Sequence, residues 1–115
     1  MKSETYRQAI DRLVAECRNG QGQIGPNRAR KGLWNENARS DYLFDQHQIN
    51  ELLNSLSESQ RDVLAGMLED QFSGGVFQTL KVLEELRVEP FLDGYEGSPY
   101  HDFIGRLEDW EWPSQ

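Results

Sequence analysis

Cysteine occurs once in the 115 residues, at Cys17, which excludes an internal disulfide and a cysteine-based zinc site. Histidine occurs only at His47 and His101, and there is no Asn-x-Ser/Thr sequon. The first residues, Met1-Lys2-Ser3-Glu4-Thr5-Tyr6, have no apolar stretch of the kind a signal peptide needs, and no apolar run approaches membrane-spanning length. These absences lead us to expect a reduced, cytoplasmic setting and no membrane partner.

Basic charge is the next scarcity. Twelve Lys and Arg stand against twenty Asp and Glu, for a net charge of -8. The imbalance is uneven: residues 1–40 hold eight basic and four acidic residues, residues 41–115 four and sixteen. Nucleic acid is not expected as a partner, because binding phosphates needs a basic face. A basic protein is the better match, unless the basic first third lies against the acidic remainder of its own fold.

What is present is helical periodicity around a good supply of aromatic residues, 3 Trp, 5 Phe and 4 Tyr. Tyr6, Ile10, Leu13, Val14 and Cys17 fall on one face of a 3.6-residue period, with Ser3 as N-cap and Gly20 as stop, predicting a helix over 4–18. Residues 19–35 carry four glycines and no useful period. They read as a long loop whose Arg28, Arg30 and Lys31 stay solvated while Trp34 pins it to the core. A second helix is expected between Asp41 and Leu56, capped by Ser40 or Asp45. Ser57-Glu58-Ser59-Gln60 has the form of a capping box and opens a third helix burying Val63, Leu64, Met67 and Leu68. Ser73-Gly74-Gly75 suggests a break or bend before a fourth helix to Leu86, whose period is continued by Val76, Phe77, Leu80 and Leu83 and, less regularly, Val82. Turn signals at Asp93-Gly94 and Glu96-Gly97 are compatible with a minor β-hairpin at 88–97. Ser98-Pro99 then opens a short last helix, followed by Trp110-Glu111-Trp112-Pro113, too apolar to leave in water.

No motif argues for catalysis. His47 and Glu51 can meet across one helical turn, but a metal site needs a third ligand. His101 stands in Tyr100-His101-Asp102, yet neighbouring residues on a helix point about 100° apart, so Asp102 is not expected to orient it. Cys17 lies on an apolar stripe and reads as an inert thiol. Gly20-Gln21-Gly22 lacks the Lys-Ser/Thr and the preceding strand of a phosphate loop. No cofactor is implied.

Two segments look familiar together. One runs from Leu56-Ser57 to Leu86, with Gly74-Gly75 and the close Val82-Leu83-Glu84-Glu85-Leu86. The other comprises Val88-Glu89-Pro90-Phe91, Tyr100-His101-Asp102-Phe103-Ile104-Gly105-Arg106-Leu107 and Glu111-Trp112-Pro113. They resemble a family of short bacterial proteins classed as a domain of unknown function. The resemblance covers roughly half the chain and implies no catalytic residues.

The expectation is a mainly α, single domain over 1–115: three to four core helices, an irregular C-terminal segment and a short last helix. Two functions fit. The first is a non-enzymatic interaction protein of the bacterial cytosol whose acidic residues, chiefly Asp70, Glu84, Glu85, Glu108 and Asp109, face a basic protein, as immunity proteins do by analogy of charge and size. The second is a small-molecule-binding or hydrolytic domain with a pocket near Trp34, Tyr95, Tyr100, His101 and Trp112.

Overall fold

The structure, a computed structural model, describes residues 2–114. It holds four helices and a short last one: α1 (Glu4–Asn19), α2 (Gln21–Lys31), α3 (Phe44–Ser55), α4 (Glu58–Glu85) and α5 (Pro99–Leu107). The molecule is elongated, 54 × 26 × 18 Å, so the 28-residue α4 forms its spine and is covered on one side only.

The start of α1 is as its sequence predicts. The Ser3 hydroxyl accepts from the Tyr6 amide at 3.1 Å, and Tyr6, Ile10, Val14 and Cys17 are buried. The stretch read as a loop at 19–35 is instead mostly helix, α2. Its glycines serve close packing. A Cβ on Gly22 would lie 2.8 Å from the Cys17 Cα and 2.9 Å from the Phe72 ring, so only glycine lets α2 press against the end of α1 and the middle of α4. Pro26 sits inside α2 and is buried with Ala29; packing outweighs the backbone hydrogen bond that proline forgoes. The helix ends on Gly32 at φ 80°, whose amide and that of Leu33 return to the Arg28 carbonyl.

Leu43, in the left-handed region, precedes α3, so neither Ser40 nor Asp45 caps it. The capping box at Ser57 forms in full: the Gln60 amide donates to the Ser57 hydroxyl at 3.2 Å, and the Ser57 amide to the Gln60 side chain at 2.8 Å. The break expected at Ser73-Gly74-Gly75 does not occur. Phe72, Val76 and Phe77 anchor α4 to the core on either side, and that packing overrides the low propensity of two glycines. Leu64 and Leu68 pack inward as expected, whereas Val63 and Met67 are exposed. No strand forms among the described residues of 88–97; the segment is a run of turns shaped by side-chain hydrogen bonds to α5.

Two apolar clusters result. The larger joins α1, α4 and α5 through Tyr6, Ile10, Val14, Leu80 and Phe103. The smaller joins α2, α3 and α4 through Ala29, Leu53 and Ala65, with Trp34 packed beside them as expected.

Candidate functional site

The part of the molecule richest in specific polar contacts is where α5 and the C-terminal segment meet α1. Asp102 is fully buried, and its carboxylate accepts three hydrogen bonds: from the Tyr6 hydroxyl at 2.6 Å, the Tyr95 amide at 2.8 Å and the Glu96 amide at 2.7 Å. Burial, followed by the hydrogen bond and charge of Asp102, raises the Tyr6 ionisation well above its ordinary value. Gly94 is required here, since a Cβ would lie 2.5 Å from the Ser98 carbonyl and 2.7 Å from the Asp102 carboxylate. Asp102 thus holds the 94–98 turns in shape, while His101 points to solvent.

A second acid, Asp11 on α1, receives the Arg106 guanidinium at 2.7 Å and the Trp112 indole N–H at 2.8 Å. Arg7 reaches the Tyr95 hydroxyl at 2.9 Å and the Pro113 carbonyl at 2.9 Å, with Tyr95 and Trp112 packed edge-on at 5.4 Å. The Trp-rich end is therefore part of the fold.

The acidic candidates divide. Asp70, Glu85 and Glu108 are exposed. Asp109 is exposed and accepts from Arg18 at 3.0 Å; Arg18 also donates to the Leu107 carbonyl. Glu84 leaves the set, because it is turned inward: one oxygen accepts from the Ser98 hydroxyl at 3.0 Å, and the other is buried without a hydrogen-bond partner. Asp70 and Glu69 share a shallow depression with Arg18 and Leu107, which brings the middle of α4 and the end of α5 to one side. Glu69 is held by Arg30 at 2.6 Å. Glu96, His101, Glu108 and Trp110 border another depression, of about 340 Å³, on the solvent side of α5.

The five pocket candidates do not converge. Trp34 belongs to the smaller cluster under the Arg28 guanidinium, 5.5 Å from its ring, and borders a separate polar cleft of about 420 Å³. Tyr95 packs on Trp112, and Tyr100 packs on Phe77 at 4.9 Å and on His101 at 4.7 Å. Sequence spacing cannot show that Trp34 packs among α2, α3 and α4 while Tyr100 and Trp112 pack on the cluster of α1, α4 and α5.

Two structural features have no signal in the sequence. One is the bond between Tyr6, expected only as a core residue, and Asp102. The other is Asn50, buried on α3, whose side-chain oxygen accepts from the Trp34 and Asn35 amides at 2.7 and 3.1 Å while its nitrogen donates to the Asn35 carbonyl at 2.7 Å. A polar residue on a helix face gives no periodic signal, so only its long-range partners reveal it. His47 and Glu51 do meet, at 2.9 Å, and burial raises the Cys17 thiol above its usual range. Among the described residues no three potential metal ligands gather, and no helix is long and apolar enough to cross a membrane.

No curated protein and no solved structure matches the chain. A family profile does, and it spans residues 1–114, including the glycine-rich stretch that becomes α2. The chain belongs to the family of unknown function DUF6547.

Proposed function

We propose that this is a non-enzymatic interaction protein of the bacterial cytoplasm that binds a basic protein through the acidic surface of α5 and the adjoining middle of α4. The observation that carries this reading is the distribution of unneutralised acids on that side. Asp70, Glu96 and Glu108 are exposed, Asp70 beside Leu107 and the other two along α5. The two nearby arginines already have partners, Arg18 in Asp109 and the Leu107 carbonyl at the end of α5, and Arg106 in Asp11 on α1. Such a surface accelerates encounter with a partner of opposite charge and disfavours partners of like charge. A single, buried cysteine is in keeping with a reducing compartment.

The test is capture from the lysate of the source cell with immobilised wild type and with the triple variant Asp70→Lys, Glu96→Lys, Glu108→Lys. The expected result is one basic protein held by the wild type, released by salt within the range that screens charges about 8–10 Å apart, and lost by the variant at unchanged Tm. A partner held equally by both proteins, or only an acidic partner, overturns the reading.

A further inference from the structure

The outward face of α4 carries exposed apolar side chains that nothing among the described residues covers. Val63 is 67% exposed, Met67 59%, Val82 41% and Leu86, at the helix end, 71%. Gln71, Gly74, Gly75 and Gln78 lie between them and are exposed as well. These positions are symmetric about the Gly74–Gly75 peptide bond. Val63 and Leu86 are equidistant from it, as are Met67 and Val82, then Gln71 and Gln78, and finally the two glycines themselves. Apolar residues match apolar, amide matches amide and glycine matches glycine.

A two-fold axis through the middle of an antiparallel helix pair imposes this same correspondence, because it sets each residue opposite its mirror position on the other copy. We infer that α4 pairs antiparallel with α4 of a second copy of this chain, crossing at Gly74–Gly75. Met67 then packs on the partner's Val82, and Gln71 exchanges amide hydrogen bonds with the partner's Gln78.

The glycines support the occupant. A glycine inside a helix costs stability relative to alanine, and two in succession on the outward face cost twice that. In the single chain no crowding calls for them, since a Cβ at Gly74 or Gly75 would meet nothing within 4 Å. Two helices crossing there bring their backbones close, and glycine is then required. The size of the surface is adequate. From Val63 to Leu86 the helix runs about 35 Å and presents a strip about 10–12 Å wide. With the apolar groove alongside, lined by Leu13, Phe72, Val76 and Phe91, two copies reach roughly the 1,000 Å² at which specific interfaces begin. This face adjoins the acidic surface proposed above at Asp70, which neighbours Met67 and Gly74 on α4, but its salt response is opposite. Two copies of net charge -8 repel, so salt strengthens their association.

Sedimentation equilibrium of the full chain from low to high micromolar concentration tests the pairing. The expected wild-type species at the upper end has twice the 13.3 kDa mass of one chain, with more of it at higher salt. Gly74→Leu and Gly75→Leu should each weaken self-association about tenfold or more, with a Tm at low concentration no lower than wild type. Orientation is read from cysteine variants, Cys17 being buried. Chains carrying Gln71→Cys should join chains carrying Gln78→Cys through a short thiol crosslinker. Gln71→Cys chains alone should not, because their two thiols lie roughly 10 Å apart along the axis. A wild type that stays monomeric throughout overturns the inference. So does a dimer that the leucine variants leave intact, or one in which Gln71→Cys chains join each other more readily than they join Gln78→Cys chains.

Discussion

Tyr6 donates its hydroxyl hydrogen to Asp102 across 96 residues of sequence, and the bond ties the first helix to the last inside the larger core cluster. Tyr6→Phe should lower unfolding free energy by about 1.5–3 kcal/mol, the range for a hydrogen bond to a charged acceptor. Asp102→Ala should cost about 3 kcal/mol or more, because it leaves the buried Tyr6 hydroxyl and two partly buried backbone amides without an acceptor. Urea unfolding of the two variants at neutral pH gives both numbers, and equal effects would show that the backbone amides find other partners.

The same pair sets an alkaline limit. Folding raises the Tyr6 ionisation above its unfolded value, so the folded chain keeps a proton that the unfolded chain releases above about pH 10. The contribution is therefore complete below pH 10 and is lost as the pH rises beyond it. Denaturation midpoints measured from pH 8 to pH 11 should fall more steeply for the wild type than for Tyr6→Phe. Parallel slopes would mean that Tyr6 ionises as easily in the fold as outside it.

Glycines with different surroundings should respond in opposite directions. Gly66, inside α4, has nothing within 4 Å of an added Cβ, so Gly66→Ala should stabilise by about 0.5–1 kcal/mol through helix propensity alone. Gly22→Ala should destabilise despite the same propensity gain, since its Cβ would press on the Cys17 backbone at 2.8 Å. Thermal melts of the two single variants decide it, and a stabilising Gly22→Ala would imply that α2 can move away from α1 at little cost.

These glycines also explain how far the sequence was legible. The face of α1, the Ser57–Gln60 capping box and the start of α5 could be read because each depends on residues within a turn or two of one another. The glycines of α2 and the pair at Gly74–Gly75 were read as chain breakers. Local sequence does not distinguish a glycine that frees the backbone from one that admits a neighbouring helix. Val63 and Met67 were assigned to the core because they fit the period, yet α4 is covered on one side only, and the period does not say which apolar stripe is covered. At the candidate site, spacing could not show Glu84 turning in toward Ser98 or Trp34 packing far along the chain from Tyr95 and Trp112.

With α2 helical, the first protease cut moves. Arg28, Arg30 and Lys31 lie within a helix, whereas Arg39 is exposed in the connection between α2 and α3. Limited trypsin digestion should cleave first after Arg39, since proteases need an extended, accessible segment. Early cleavage after Arg28 or Lys31 would show that α2 opens before that connection does.

The C-terminal segment is held by Trp112, whose indole donates to Asp11 and whose ring meets Tyr6, Tyr95 and Trp110. Its ring is only partly buried, so Trp112→Ala should cost about 2–4 kcal/mol, overlapping the lower part of the range for large buried aromatics. Trp112→Phe keeps most of the ring packing but leaves Asp11 with Arg106 alone, and should cost about 1 kcal/mol. Chemical denaturation of both variants separates the two contributions. If Trp112→Phe proves as damaging as Trp112→Ala, the indole hydrogen bond to Asp11, rather than ring burial, holds the segment on α1.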